Sequence, residues 1–305
     1  MNGYGLLSGF ADEIAPDLTT QLESINKLGM HYIEMRGVDG NNLIYHTDTK
    51  VKEIKARLDG AGVKLSALGS PLGKIGIEDP FEPHFEEFRR AVDIAHMMET
   101  RNIRMFSFYV PHDEQDGNDT EKTGSDDSGK NIRERVFERL GCFLEYAKAE
   151  DICLLHENEK GIYGEKAAEC LEIMNAFGGE HFKAIFDFAN FVQAGQDTIE
   201  AYELLKDHIA YIHVKDAISG SGKVVPSGFG NGNVKEILNR LFSAGFNGFL
   251  SIEPHLFDFE GFAGLEIGSA TLPAFEEGRK LSGFEAFSLA HESLARMLQE
   301  IKIQK

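Results

Sequence analysis

The chain has 305 residues, of which 42% are hydrophobic and 10% aromatic, and its formal net charge is −19. This hydrophobic content supports a large core, and the negative field argues against nucleic acid or an acidic membrane as a partner. Three cysteines without a CxxC pairing, no leader-like start and no apolar run of about 18 residues predict a cytoplasmic protein with buried thiols.

Amphipathic stretches alternate with short β-rich runs along the chain. The run "LLSGFA" comes first, and "DLTTQLESINKLG" follows it, with Asp17 as a helix N-cap and Gly29 as a stop. A helix is expected before each later run and a last one at about 281–301. The later β-rich runs are "HYIEM", "VKLSAL", "IRMFSFYV", "ICLLHE", "FKAIFDF", "IAYIHV" and "GFLSIEP".

Eight strands that alternate with eight helices predict parallel pairing and a closed (β/α)8 TIM barrel, with residues 1–305 as a single domain. An open doubly wound sheet is the alternative. No GxGxxG motif follows the first strand, which favours the barrel.

Two segments interrupt this alternation. Residues 112–131 are almost wholly polar and follow the fourth strand, which predicts either a solvated surface loop or a mobile lid over the site. Residues 256–280 form a long connection after the eighth strand, rich in Gly and Phe. We expect that connection to cover substrate or to contact another subunit.

Polar residues end four consecutive strands. Glu157, Asp187, His213 and Glu253 close strands five to eight, about one βα unit apart. Catalytic residues of such barrels come from the C-terminal ends of strands, so these four are expected to share one rim.

Three carboxylates that converge on one point repel each other strongly, and a divalent cation removes that cost. Three carboxylate ligands and one imidazole suit Mn²⁺, Mg²⁺, Co²⁺ or Zn²⁺. A single Asp or Glu after a strand is usually a helix cap or a solvated turn. Four in consecutive strands favour one divalent metal ion, held by Glu157, Asp187, His213 and Glu253.

Other polar residues near the strand ends have two interpretations each. Lys215 holds a substrate oxygen or phosphate, or pairs with Asp216. Glu34 and Arg36 reach substrate hydroxyls or pair with each other, and His255 is a substrate ligand or a hydrogen-bonded core histidine. The glycine-rich stretch "PSGFGNGN" either binds phosphate through backbone N–H groups or is a plain loop.

Several motifs together resemble one family. The stretch "GFADEIAPDLTTQLESINKLGMHYIEMRG" is followed by "LLHENEKGIYG", "IFDFANF", "YIHVKDA", "VVPSGFGNG" and "SIEPH". Each motif is weak alone, but their order and spacing resemble the xylose-isomerase-like TIM barrels over nearly the whole chain. That family includes sugar and sugar-phosphate isomerases and epimerases, inosose dehydratase and endonuclease IV.

The resemblance implies the same four metal ligands. It also implies that Glu157 and Glu253 are the catalytic acid/base pair, acting on a metal-stabilised enediolate. The chain departs from the ketose 3-epimerases at Asn190, where they carry His, and at Ser219, where they carry Arg. For the three-zinc cluster of endonuclease IV only His112 is a candidate ligand, and the net charge argues against DNA repair.

The expected function is a divalent-metal-dependent isomerase or epimerase of a sugar, a sugar phosphate or a related polyol ketone. Mn, Zn, Co and Mg remain open as the metal, and homo-oligomerisation is possible. The alternatives are a dehydratase of an inosose-like substrate and a non-catalytic barrel that binds a sugar or metal. The candidate substrate-binding residues are Lys215, Asn190, Glu34 and His255.

Overall fold

Eight parallel strands form the centre of the computed structural model, which describes residues 6–111, 131–256 and 281–303. Each strand coincides with or overlaps one of the β-rich runs predicted from the sequence. In chain order, β1 to β8 span Leu6–Gly9, Tyr32–Met35, Lys64–Leu72, Asn102–Met105, Cys153–Glu157, Phe182–Asp187, Ile209–Val214 and Phe249–Ile252.

The strands form a nearly closed ring. Their hydrogen-bonded order is β1-β8-β7-β6-β5-β4-β3-β2, and every neighbouring pair is parallel. The two ends of this order, β1 and β2, lie side by side. The predicted (β/α)8 barrel is therefore confirmed, and the open doubly wound sheet is wrong.

Helices surround the ring in the described part of the chain. Asp17 caps the first of them by accepting a 2.8 Å hydrogen bond from the Thr20 N–H, and Gly29 follows its end with φ at +69°. Both predicted boundaries are confirmed. The helices α1 to α9 span Leu18–Lys27, Asp48–Gly60, Phe81–Met97, Ile132–Ala149, Ala167–Phe177, Phe188–Gln193, Thr198–Leu205, Val234–Ser243 and Gly283–Ile303.

The short helix α6 was not separately predicted. It begins directly after β6, and its sequence "FANFVQ" is too short and too apolar to show helical periodicity. Asp187 is its N-cap, because Oδ1 accepts a 2.8 Å hydrogen bond from the Asn190 N–H. The same side chain therefore ends a strand, starts a helix and faces the barrel mouth.

The interior of the barrel changes from apolar to charged along its axis. Ala67, Leu155, Ile185 and Tyr211 pack together inside the ring. Two residues further along β7, His213 points into the same interior, since alternate residues of a strand share a face. The charged side chains thus lie directly above a packed, largely apolar layer.

Two predicted insertions fall largely outside the described residues. Residues 112–130 of the polar stretch and 257–280 of the long connection are not described, so neither the lid nor the subunit contact is tested. Asn131, the last residue of the polar stretch, caps α4 in a capping box with Glu134. Across the described ranges, no helix has the length and apolarity needed to cross a membrane.

Candidate active site

The four residues predicted as metal ligands meet at the C-terminal end of the barrel. Glu157 and Asp187 end β5 and β6, His213 lies near the end of β7, and Glu253 directly follows β8. One ligand atom from each lies within 4.8 Å of those of the other three, and all four residues are buried. The parallel register explains this meeting, because Asp187 pairs with His213 across β6 and β7.

His213 is held by carboxylates through both ring nitrogens. Its Nδ1 lies 2.8 Å from Glu157 Oε1 on the side of the cluster, and its Nε2 lies 3.1 Å from Glu34 Oε2. Burial lowers the pKa of His213, but the Glu157 and Glu34 carboxylates raise it well above its usual range. Glu34 therefore fixes the ring orientation from behind the cluster.

Asp187 has one buried oxygen without a hydrogen-bond donor. Its Oδ1 caps α6, whereas Oδ2 accepts no hydrogen bond within the described residues, although Lys215 Nζ lies 3.3 Å away. Burial raises the pKa of Asp187 to about 6. Asn158 fixes the backbone of Asp187 through its side chain, which accepts from the Asp187 N–H at 3.0 Å and donates to its carbonyl at 3.1 Å.

This cluster could hold a divalent cation. The oxygen of Asp187 that lacks a donor lies beside two more carboxylates, and the Nδ1 of His213 is directed at the same point. Three carboxylates with one imidazole form a donor set that suits Mn²⁺, Mg²⁺, Co²⁺ or Zn²⁺. The residues present therefore fit such an ion.

Glu157 and Glu253 are each surrounded by cationic groups. Burial raises the pKa of Glu157, but His213 and Arg104 lower it to about 2. Burial also raises the pKa of Glu253, yet Lys215 and His255 hold it well below its usual range. Both carboxylates are thus ionised at neutral pH, as a metal ligand or a base requires.

Lys215 reaches into the cluster. Its Nζ lies 3.1 Å from Glu253 Oε2. Burial lowers the pKa of Lys215, but the surrounding carboxylates, Asp187 and Glu253 foremost, raise it well above its usual range. Asp216 points elsewhere and accepts hydrogen bonds from the backbone N–H groups of the glycine-rich loop. The distances are 2.9 Å from Gly228, 3.0 Å from Gly230 and 2.8 Å from Gly232.

The contacts of Asp216 decide between the two interpretations of the glycine-rich stretch, a phosphate site and a plain loop. A Cβ at Gly230 would lie 2.3 Å from Asp216 Oδ1, so the glycine lets the backbone wrap around the carboxylate. The N–H groups that would cradle a phosphate already surround an anion of the chain itself. "PSGFGNGN" is therefore a structural loop, and its glycines hold Asp216.

Arg36 and Arg104 were not assigned to the cluster from the sequence. Arg36 Nη1 lies 3.1 Å from Glu253 Oε1, and its Nε lies 2.7 Å from Asp12 Oδ2. Arg104 Nη1 lies 3.3 Å from Glu157 Oε2. The only sequence signal for Arg104 is a single charge inside the apolar run "IRMFSFYV", at a position whose strand face points inward.

The ring of Phe10 supports both arginines. The guanidinium carbon of Arg36 lies 4.6 Å from the ring centroid and that of Arg104 lies 5.0 Å away. His213 approaches the same ring edge-on at 5.2 Å between centroids. Cation–π contacts of this kind strengthen when water is excluded.

His255 and Glu13 extend the cluster beyond β8. The His255 N–H donates to Glu13 Oε2 at 2.7 Å, and its ring Nε2 lies 3.3 Å from Glu253 Oε1. Burial lowers the pKa of His255, but Glu253 and Glu13 raise it to about 9. His255 adopts φ of +45°, an uncommon conformation that the contact with Glu13 helps to hold.

A small cleft that opens to solvent lies above the cluster. Of the residues predicted to bind substrate, Lys215, Asn190 and His255 line it. Glu34 instead lies fully buried behind His213. The lining residues are Arg36, Lys74, Arg104, Glu157, Glu159, Asn190, Lys215, Glu253 and His255.

Solved structures with this fold include several enzymes. A D-tagatose 3-epimerase-like protein is 17% identical, with a TM-score of 0.70, and the match covers 98% of this chain and 99% of that one. The probable 3-DHS dehydratase AsbF from Bacillus anthracis is 16% identical, with a TM-score of 0.65 and 95% and 98% coverage. A xylose isomerase-like TIM barrel protein from Mycobacterium smegmatis, in complex with magnesium, is 15% identical, with a TM-score of 0.64 and 98% coverage of both chains.

At these identities the structural matches show the fold. No curated protein matches the chain significantly. The family model described as "Xylose isomerase-like TIM barrel" matches residues 22–272. Because this match spans most of the sequence and agrees with the barrel, the chain belongs to the xylose isomerase-like TIM barrel family.

Proposed function

We propose that the protein is a divalent-metal-dependent isomerase or epimerase of a sugar, a sugar phosphate or a related polyol ketone. The observation that supports this most is the meeting of Glu157, Asp187, His213 and Glu253 within 4.8 Å at the mouth of the barrel. Two of these residues are ionised glutamates that can move a proton. Family membership and the epimerase-like structural neighbour support the same reaction class.

The four residues would hold one divalent cation, with Mn, Zn, Co and Mg as candidates. A cation bound there would act as a Lewis acid that polarises a substrate carbonyl and acidifies the neighbouring C–H bond. Glu34 would keep the Nδ1 of His213 directed at the ion by engaging Nε2 at 3.1 Å.

Glu157 and Glu253 would carry the proton. They extend from β5 and β8, so they approach the cleft from different strands. One carboxylate removes the proton next to the carbonyl, and the other, or the same one, returns it. Asn190, whose Nδ2 lies 3.4 Å from Glu157 Oε1, and Lys215 beside Glu253 would orient substrate oxygens between them.

A dehydratase is the second candidate. It would begin with the same proton abstraction and then expel a β-hydroxyl group. The match to a probable 3-DHS dehydratase supports it. Lys215, protonated 3.1 Å from Glu253, would supply the proton that a leaving hydroxyl needs.

Metal content is the first experiment. Protein purified without chelators or a histidine tag is expected to contain about one equivalent of metal, in keeping with one four-ligand site. About three equivalents of zinc would instead favour a three-zinc site of the endonuclease IV type. A protein that contains none and takes up none on titration would contradict the proposed function.

The reaction itself is tested by a screen of ketoses in D₂O. An isomerase or epimerase exchanges one substrate C–H proton for deuterium, whereas a dehydratase produces a conjugated, UV-absorbing product. Glu253→Gln removes the proposed base, and Glu23→Gln, on the exposed face of α1, is the matched control. If the protein takes up metal but shows neither deuterium exchange nor a UV-absorbing product, a non-catalytic barrel that binds a sugar or metal would be favoured.

A further inference from the structure

The cleft has a cationic lining in a strongly acidic chain. Arg36, Lys74, Arg104, Lys215 and His255 line it, against the three carboxylates of Glu157, Glu159 and Glu253. The whole chain carries a formal charge of −19. A cluster of cationic side chains in so acidic a protein indicates that this cleft binds an anion.

Three of the five cations have partners outside the proposed metal ligands. His255 Nε2 lies 3.4 Å from Glu13 Oε1. Lys74 Nζ lies 2.8 Å from Glu159 Oε2, and Arg36 Nε lies 2.7 Å from Asp12 Oδ2. Glu159, Asp12 and Glu13 all lie outside the proposed metal ligand set. Metal binding would leave these three contacts in place.

The charged partners of Arg104 and Lys215 are the proposed metal ligands themselves. The carboxylates that contact them are Glu157 at 3.3 Å from Arg104, and Glu253 and Asp187 at 3.1 and 3.3 Å from Lys215. These three are the carboxylates among the four proposed metal ligands. A cation that takes their oxygens draws these carboxylates away from Lys215 Nζ and Arg104 Nη1. Among the described residues Arg104 then keeps the neutral Gly69 carbonyl, to which its Nη2 donates at 3.4 Å. A buried charge that loses its counter-ion is costly.

Arg104 already has a donor without an acceptor. Its Nε is buried and has no hydrogen-bond partner within the described residues. Its guanidinium carbon lies 5.0 Å from the ring centroid of Phe10 and 5.1 Å from that of Phe106. The two rings fix the planar group in the cleft lining, which suits the forked recognition of a carboxylate.

We infer that the substrate carries a carboxylate group, which Arg104 and Lys215 bind beside the metal ligands. This inference rests on the proposed function. It narrows the substrate class to a polyhydroxy acid or a keto acid. A carboxylate is favoured over a phosphate because the N–H groups of Gly228, Gly230 and Gly232 already surround Asp216. A neutral polyol would supply no new counter-charge to the two buried cations.

The test compares D-glucitol with two derivatives that each change one of its terminal groups, D-gluconate and D-glucitol 6-phosphate. Binding to the metal-loaded protein is measured by isothermal titration calorimetry, without turnover. Gluconate is expected to bind at least about tenfold more tightly than glucitol, as charge-assisted hydrogen bonds allow. Equal binding of gluconate and glucitol, no gluconate binding, or a preference for the phosphate would overturn the inference.

Variants separate recognition by Arg104 from simple chelation of the metal. Arg104→Met is expected to lose the gluconate preference, whereas Lys235→Met, whose lysine pairs with Glu300 on the surface, should keep it. A preference that survives in Arg104→Met would come from the metal alone and would refute the role of Arg104. If Arg104→Met does not melt cooperatively, Lys215→Met provides the same comparison.

The outcomes distinguish this inference from the proposed function. If the protein binds metal and exchanges substrate protons but shows no preference for gluconate, only the inference of a substrate carboxylate is refuted. A protein that takes up no metal refutes the proposed function, whatever it binds.

Discussion

His213 and Glu34 are joined by a 3.1 Å contact between Nε2 and Oε2, and both side chains are fully buried. The contact spans the barrel from β7 to β2. It leaves the other ring nitrogen directed at Glu157, 2.8 Å away. The orientation of a metal-binding imidazole would thus be set by a carboxylate that itself lies behind the cluster.

Glu34→Gln is therefore expected to weaken metal binding by about 10- to 100-fold, because the neutral amide no longer orients and polarises the ring. Competition with a chelating fluorophore measures the change. Glu23→Gln, on an exposed helix face, is the control and should bind metal as the original protein does. Unchanged affinity in Glu34→Gln would mean that the contact is structural only.

Two substitutions at Asp187 separate its roles. Asp187→Asn keeps an oxygen to accept from the Asn190 N–H and so keeps the cap of α6, but it removes the charge. Asp187→Ala removes both and should lower the free energy of unfolding by about 1 kcal/mol more. Both variants are expected to lose metal in elemental analysis. A full equivalent with unchanged affinity in either would show that the proposed ligand set is wrong.

Glu253→Gln is expected to reduce turnover by about 10²- to 10⁴-fold, the usual contribution of a positioned acid or base. The amide oxygen can still accept from Arg36, which lies 3.1 Å away, so the fold should persist. The rate of deuterium incorporation into substrate measures the loss. Glu159→Gln, in the same cleft but paired with Lys74, is the matched control, and a fully active Glu253→Gln would remove this residue from the mechanism.

Asp216→Ala should destabilise the protein by about 3 kcal/mol, because it leaves several loop N–H groups without their acceptor. Three glycines donate to this carboxylate at 2.8 to 3.0 Å. Urea denaturation measures the effect. Asp207→Ala, on the exposed surface, should change stability little. A loss in Asp216→Ala no larger than in this control would contradict the structural role of the loop.

His84 should make stability depend on pH. Its Nε2 accepts a 2.7 Å hydrogen bond from the Gly73 N–H, which requires the neutral ring, and burial lowers the pKa of His84 despite the opposing effect of Glu87. A lowered pKa in the folded state means that the unfolded chain binds the proton more readily. This contribution to stability is complete above a pH of about 6.5, the usual histidine pKa, and declines as the pH falls below it.

Unfolding by urea between about pH 8 and pH 5 measures this decline. His84→Gln keeps an acceptor for Gly73 but cannot titrate, so the stability difference between the two proteins should change across that range. A difference that stays constant with pH would contradict a neutral His84.

Much of the site follows from local patterns. The alternation of apolar runs and amphipathic stretches predicts a parallel barrel, and parallel strands place their C-terminal ends on one rim. Glu157, Asp187, His213 and Glu253 each follow such a run, so their meeting is predictable from spacing alone. The residue types at those four positions also predict the kind of ion that would fit.

The partners of each charge depend on the closed ring. Lys215 and Asp216 are neighbours in sequence, yet alternation sends Lys215 to Glu253 and leaves Asp216 to the loop. Arg104 enters the cluster only because β4 stands opposite Glu253 across the barrel mouth, where their side chains lie 4.0 Å apart.

The sequence by itself determined the fold class, the rim and the four candidate ligands, because each rests on the order of residues within one βα unit. Only the tertiary structure decided which charges pair. Glu34 and His213 are 179 residues apart and meet because the barrel brings β2 and β7 around one interior. Such contacts cross the ring, and their partners depend on strand register and closure rather than on local spacing.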